Sequence, residues 1–75
     1  MGYYSITMRT EVHNKVYEMR TKMDITQERL SEKIGVSRQT IIAIEKGNYI
    51  PSVLLALKLA KEFKRPVEEL FYLSQ

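Results

Sequence analysis

The sequence predicts an all-α domain of five short helices, and three observations support this fold class. From residue 12 onward, apolar residues recur at intervals of three and four, which places them on one face of a helix. Serine or threonine precedes several of these apolar stretches, and glycine follows two of them, as at helix starts and ends. The connections are about two to five residues long, as in compact helical domains.

The first helix is predicted to begin near Val12. Val12, Val16, Met19 and Met23 lie at i, i+4, i+7 and i+11, so they form one apolar stripe. Asn14 can instead cap a slightly later start, because its side-chain oxygen is suited to accept a free N–H of the first turn.

The second and third helices are predicted from their ends. Thr26 caps the second helix, which runs to about Ile34, and Gly35 ends it because a positive φ has no steric cost at glycine. Ser37 caps the third helix, which runs over about residues 38–46.

The last two helices are separated by a proline. Ser52 caps the fourth helix, "VLLALKLAKEF". Arg65 precedes proline and is therefore disfavoured as helix. Pro66 or Val67 begins the fifth helix, "VEELFYL".

The first residues follow a different pattern. Tyr4, Ile6 and Met8 alternate with polar residues, a period of two that suits a short β-strand. The alternative is a disordered arm or an extension of the chain, since chain termini are often poorly ordered. We assign residues 1–11 to an N-terminal arm and residues 12–75 to the folded domain.

Composition favours a small non-enzymatic domain. The chain has 75 residues, no cysteine and a net charge of +3, which permits a polyanionic partner without proving one. It contains no membrane-length apolar stretch and no signal-peptide pattern, so the cytoplasm is the expected location. It also lacks a phosphate-binding glycine loop, a nucleophile with a base and a zinc-protease motif, and His13 has no metal-ligand constellation around it. We therefore expect no cofactor, no metal and no small-molecule effector.

The second and third helices are joined by only Gly35, Val36 and Ser37, which forces them to cross steeply as in a helix-turn-helix unit. A small side chain, Ser31, lies where the two helices approach each other. The core beneath the turn is predicted to contain Leu30, Ile34, Val36, Ile41 and Ile44.

The segment "TQERLSEKIGVSRQTIIAIEKGNYIPS", with the later "VEELF", resembles the Cro/XRE family of helix-turn-helix transcription regulators, in particular its short single-domain members. The resemblance covers residues 14–73. It implies a compact, lambda-repressor-like domain that binds double-stranded DNA.

The resemblance also implies which residues meet DNA. It places Arg38 and Gln39 in the major groove, where arginine pairs with guanine and glutamine with adenine. It places Gln27 against a phosphate. Ser37 and Thr40 either add hydroxyl contacts or serve in capping and packing. Contacts with the flanking backbone are expected from the residues after the third helix, namely Lys46, Asn48 and Tyr49.

Position 42 departs from the pattern, because it is commonly polar in the family and is isoleucine here. With Ile41 and Ile44 inward, Ile42 and Ala43 are predicted to face outward beside Arg38. They either contact thymine methyl groups or are simply tolerated on the surface.

Two further predictions concern an ion pair within the chain and the association of two chains. The family pairs an arginine at position 20 with an acid at position 45, so Arg20 and Glu45 are expected to form a structural ion pair.

The apolar excess of the last two helices predicts a homodimer through Leu54, Leu70, Phe71, Tyr72 and Leu73. The predicted function is a dimeric repressor on a palindromic operator, and the alternative is an antitoxin or protein-interaction module that uses the surface of helices four and five.

Overall fold

The computed structural model describes residues 10–74. The elements follow the order β1 (Val12–Asn14), α1 (Val16–Lys22), α2 (Gln27–Ile34), α3 (Arg38–Glu45), α4 (Val53–Phe63), α5 (Val67–Leu70) and β2 (Phe71–Leu73). The predicted five helices and helix-turn-helix arrangement are confirmed, with a two-stranded sheet added to them. No helix in this part of the chain is long and apolar enough to cross a membrane. The strand predicted around residues 4–8 lies outside the described residues.

The two ends of the described chain form strands where the sequence predicted helix. Val12 belongs to β1 rather than to the first helix, and the fifth helix ends at Leu70 instead of continuing to Leu73. The strands are antiparallel, with Val12 opposite Leu73 and Asn14 opposite Phe71. Each has three residues, too few to separate a period of two from helical spacing. The prediction failed because the pairing joins opposite ends of the chain.

Asn14 connects the sheet to two helices. Its Oδ1 accepts the N–H of Val16, the first residue of α1, at 3.0 Å, so it satisfies a free N–H at the later helix start, although the N-cap residue itself is Lys15. Its Nδ2 donates to the carbonyl oxygen of Ile44 at 2.8 Å. One side chain therefore fixes the start of α1 against the end of α3.

The predicted caps of the central helices are confirmed. Thr26 Oγ1 accepts the N–H of Arg29 at 3.0 Å, and Ser52 Oγ accepts the N–H of Leu55 at 3.1 Å. Gly35 ends α2 with φ of 86°, a left-handed conformation that a Cβ would disfavour. The tight turn between α2 and α3 therefore follows directly from local sequence.

The core lies beneath this turn and extends to α4 and α5. Leu30, Ile41 and Ile44 are fully buried, as predicted, and Val36 packs against them while partly exposed. Ser31 is buried at the approach of α2 to α3, and its Oγ donates to the carbonyl oxygen of Glu28 at 2.6 Å. The small side chain thus lets the helices approach without leaving its hydroxyl unpaired.

Leu70 corrects part of the predicted dimer surface. It is fully buried, among the core residues contributed by α1–α4. Helix α5 turns this side chain inward, and the backbone carbonyl of Leu70 accepts the N–H of Lys15 at 2.9 Å. Leu70 therefore stabilises the monomer and cannot contact a second copy.

A buried ion pair ties α1 to α3. Arg20 Nε lies 2.6 Å from Glu45 Oε2, and Arg20 Nη2 lies 3.3 Å from Glu45 Oε1. The side chains are only 11% and 5% exposed. Arg20 Nη1 also donates to the carbonyl oxygen of Ile25 at 2.8 Å. This geometry is the pairing that the family resemblance implied, and its burial makes each charge dependent on the other.

We expect Arg20→Ala to destabilise the domain by about 3–5 kcal/mol, because it leaves the Glu45 carboxylate buried without its counter-charge. The matched control is Arg29→Ala, which breaks an exposed pair with Glu32 and should cost about 0–1 kcal/mol. Urea unfolding followed by circular dichroism measures both. Equal losses for the two variants would contradict a structural role for the buried pair.

We expect Asn14→Ala to cost about 1–2 kcal/mol, because it removes the hydrogen bond to the first N–H of α1 and the bond to the Ile44 carbonyl oxygen together. His13→Ala is the control, since His13 is an exposed neighbour on the same strand. Thermal unfolding of both variants tests the expectation, which fails if Asn14→Ala melts at the wild-type temperature.

Candidate nucleic-acid interface

The start of α3 presents polar side chains to solvent. Arg38 and Gln39 are both exposed, whereas Ile41 and Ile44, further along the helix, are fully buried. The buried pair anchors α3 to the core, while the side chains of Arg38 and Gln39 in its first turn remain exposed to solvent. This face offers guanidinium and carboxamide groups, which have the hydrogen-bonding geometry to pair with base edges.

Ser37 and Thr40 mainly organise the helix start. Ser37 Oγ accepts the N–H of Thr40 at 3.2 Å, and the two hydroxyl oxygens lie 3.0 Å apart. Thr40 is half-buried and Ser37 is exposed. The capping alternative for these residues is therefore visible in the structure, and the Ser37 hydroxyl still reaches solvent.

Ile42 and Ala43 occupy an intermediate position. Both are half-buried, so neither belongs to the core and neither projects fully outward. The backbone carbonyl of Ala43 accepts the N–H of Asn48 at 2.9 Å, which draws the following loop back onto the helix. The two side chains thus form a partly covered apolar strip beside the polar start of α3.

Gln27 is held by the buried ion pair. Its Nε2 donates to Glu45 Oε1 at 2.9 Å, while the residue remains half-exposed at the start of α2. Gln27 and Arg38 line the same shallow recess, together with Arg20, Thr26 and Glu28. Glu45 therefore fixes a side chain from α1 and one from α2 at the base of the exposed α3 face. The sequence placed Gln27 at the interface but gave no sign of its bond to Glu45.

The loop after α3 continues the exposed polar surface. Lys46, Asn48 and Tyr49 all lie in solvent. Gly47 turns the chain here with φ of 80°. The loop therefore places a cation, an amide and a phenol beside the end of α3.

The residues predicted to form the dimer surface separate into two regions. Leu54, on α4, is 66% exposed, and Leu73, on β2, is 61% exposed. Tyr72 is also exposed and stacks on His13, with ring centroids 5.8 Å apart, whereas Phe71 packs partly against the core. The single surface that the sequence suggested is thus divided between a helix and a strand.

The apolar excess predicted for helix four included Val53 and Leu57, although only Leu54 of this helix was assigned to the dimer surface, and Ile50 was not selected. Val53 is 75% exposed, Ile50 64% and Leu57 51%. Val53, Leu54 and Leu57 lie at i, i+1 and i+4 in the first turns of α4, whereas Ile50 lies in the loop before the Ser52 cap. These residues and Leu54 form an exposed surface, named here the α4 apolar face.

In the described part of the chain, no group of three or more histidine, cysteine, aspartate or glutamate residues is arranged to hold a metal ion. Every buried side-chain nitrogen or oxygen between residues 10 and 74 has a hydrogen-bond partner. The polar groups available for an external ligand are therefore those of the exposed α3 face and its flanking loop, together with surface side chains elsewhere.

The sequence is similar to proteins of one family. The helix-turn-helix family profile matches residues 16–70. The uncharacterized HTH-type transcriptional regulator YgzD of Bacillus subtilis is 52% identical over 62 residues, which cover 83% of this chain and 94% of that protein. The cryptic phage CTXphi transcriptional repressor RstR of Vibrio cholerae is 37% identical over 57 residues, which cover 76% of this chain and 51% of that protein.

The fold is similar to a solved regulator. The restriction-modification controller protein C.AhdI of Aeromonas hydrophila superposes with a TM-score of 0.68 at 29% sequence identity, over 73% of this chain and 83% of the other. The profile match spans most of the chain and includes the whole α2–turn–α3 unit. The chain therefore belongs to the Cro/XRE family of helix-turn-helix, DNA-binding transcriptional regulators.

Proposed function

We propose that the protein is a dimeric repressor that reads a palindromic operator with α3 in the major groove. The observation that carries the proposal is the exposed start of α3, where Arg38 and Gln39 project from a helix anchored by Ile41 and Ile44. A helix in this setting can enter the major groove with its first residues against base edges.

Base reading is assigned to the first turn of α3. Arg38 can donate two hydrogen bonds to guanine O6 and N7, and Gln39 can pair with adenine N6 and N7. Ile42 and Ala43 would add apolar contact with thymine methyl groups. Their partial exposure supports this role, because an apolar strip beside the polar pair is accessible from the groove side.

Backbone contacts are assigned to the two flanks of α3. Gln27 uses one N–H on Glu45, and its second N–H can donate to a phosphate at the start of α2. Ser37 and Thr40, at the start of α3, border the same flank as Gln27. Beyond the helix, Lys46, Asn48 and Tyr49 can contact the adjoining strand. Such contacts position the protein without reading sequence.

Dimerisation is assigned to the α4 apolar face. Four large apolar side chains are exposed there, and contiguous apolar surface of this kind commonly marks a protein interface. Leu54 also lines one recess with Tyr49, so the face lies next to the loop proposed to meet DNA. A twofold axis at this face would present two α3 helices to half-sites about one helical turn apart.

A repressing role is supported by the similarity to RstR, which is named a transcriptional repressor. The alternative is an antitoxin or protein-interaction module that uses the surface of helices four and five, including Leu54, for a different protein. The two are separated by copurification from the native cell, since an antitoxin would be isolated with a second polypeptide bound at Leu54.

Gln39→Ala should change the preferred sequence, whereas Gln27→Ala should weaken all sequences alike. The physical reason is that Gln39 faces base edges and Gln27 faces the backbone. A random-oligonucleotide selection with wild type and both variants measures preference, and titration of the selected duplexes measures affinity. We expect about 1–3 kcal/mol less discrimination at one base pair for Gln39→Ala. An unchanged preference for Gln39→Ala would refute major-groove reading by this residue.

Leu54→Asp should convert the dimer to a monomer and lower operator affinity, because a charge at the centre of an apolar interface remains unpaired. Leu73→Asp is the matched control, being similarly exposed but placed on β2. Analytical ultracentrifugation measures the assembly state of both. A monomer produced by Leu73→Asp and not by Leu54→Asp would move the interface from α4 to the strand.

A further inference from the structure

Four lysines gather where α2 and α4 meet, with Lys33 near the end of α2, Lys58 and Lys61 on α4 and Lys64 directly after it, away from the start of α2 that carries Gln27. Helix α2 places Lys33 about 9 Å further along its axis than Gln27. The surface is lined by Lys33, Ile34, Lys58, Lys61, Glu62 and Lys64. None of these lysines is needed for the operator contacts proposed above.

The charges on this surface are poorly balanced. Lys33 Nζ lies 3.3 Å from Glu62 Oε2. Between residues 10 and 74, no carboxylate lies within 4.0 Å of Lys58, Lys61 or Lys64. Four lysines and one glutamate leave a local charge of +3. Such a concentration of like charge opposes folding unless an anion offsets it.

Lys64 adds a second observation. It follows α4 with φ of 57° and ψ of 44°, the left-handed conformation in which glycine or asparagine usually ends a helix. A lysine here strains the backbone, and what it contributes relative to glycine is a cation. Cations near helix C-termini are favourable in themselves. That effect does not account for Lys58, which lies in the middle of α4.

The composition of the surface favours phosphate over an acidic protein. Lysine is depleted at protein interfaces, where aromatic residues and arginine are enriched. No aromatic residue lines this surface. Lysine binds phosphate as a point charge on a flexible stem. Lys58 and Ile34 also border the neighbouring recess with Tyr49 and Ser52, so the positive surface begins beside the loop proposed to meet DNA.

We propose that Lys33, Lys58, Lys61 and Lys64 form a second phosphate-binding surface, which holds DNA backbone outside the operator read by α3. The inference goes beyond the proposed operator contacts and rests on the protein binding DNA. The phosphates belong either to flanking DNA of the same duplex, bent toward α4, or to a second duplex.

The test compares two triple variants that remove the same charge. The site variant is Lys58→Gln, Lys61→Gln and Lys64→Gln. The control variant is Lys15→Gln, Lys22→Gln and Arg65→Gln, whose residues line a separate surface beside α1 and β2. Each full-length protein is titrated with three probes: the short selected operator, the same operator extended by about two helical turns on each side, and the short operator with excess unrelated duplex.

Lys33 is neutralised by Glu62, so three additional phosphate contacts, from Lys58, Lys61 and Lys64, should steepen the slope of log K against log salt by about 2.7. For wild type and the control variant we expect this increment on the extended duplex, and we expect its loss in the site variant. The increment corresponds to roughly a 40-fold further loss of affinity between 50 and 200 mM salt. If a ternary complex of protein, operator and unrelated duplex forms and only the site variant loses it, the phosphates belong to a second duplex. Identical behaviour of both variants on all three probes overturns the proposal.

Lys64→Gly separates binding from folding. Glycine relieves the left-handed backbone, so the melting temperature should not fall, while the slope on the extended duplex should decrease by about 0.9. An unchanged slope for a stably folded Lys64→Gly excludes Lys64 from the surface. Polyglutamate serves as a fourth probe for both triple variants. If the site variant differs from the control in binding polyglutamate but not in binding DNA, the proposal is overturned in favour of an acidic protein.

Failure of the two proposals is distinguishable. If wild type shows no operator preference but the site variant still loses extended-duplex binding relative to the control, operator recognition fails and the phosphate surface stands. If operator preference is intact and the site and control variants bind the extended duplex alike, operator recognition stands and the phosphate surface fails.

Discussion

The structure depends on the carboxylate of Glu45, which is buried at the end of α3 and receives hydrogen bonds from two other helices. Arg20 of α1 neutralises its charge, and Gln27 of α2 uses one of its N–H groups on the same oxygen atom that accepts from Arg20 Nη2. A buried carboxylate is stable only when such partners are present. The three helices that build the DNA-binding unit are therefore held in one arrangement at one point.

The same junction links stability to recognition. The turn at Gly35 sets the crossing of α2 and α3, and the apolar core buries the inner side of α3. Neither feature fixes where Gln27 points, whereas its bond to Glu45 does. A backbone-contacting side chain and the helix that reads bases thus share a rigid support, which is the arrangement that precise positioning on a duplex requires.

Local sequence predicted the parts of the fold that have local causes. Thr26, Ser37 and Ser52 cap their helices through neighbours three residues away, and Gly35 has the positive φ that its position required. The two strands were not predicted, because Val12 and Leu73 pair with each other from opposite ends of the described chain. The burial of Leu70 was missed for the same reason. A helix that ends at Leu70 and continues as a strand orients the Leu70 side chain differently from a helix that runs on to Leu73. At the interface, the polar positions on α3 were evident, but the bond from Gln27 to Glu45 depends on tertiary geometry.

Replacing the ion pair with an apolar pair tests this account most directly. Arg20→Met with Glu45→Met preserves side-chain bulk and removes both charges together, so the free energy of unfolding should remain close to that of wild type. Gln27 loses its anchor in this variant. Titration with the selected operator and with unrelated duplex should therefore show a uniform loss of affinity with unchanged base preference. A double variant that folds stably and binds both duplexes with wild-type affinity would contradict the role assigned to Glu45.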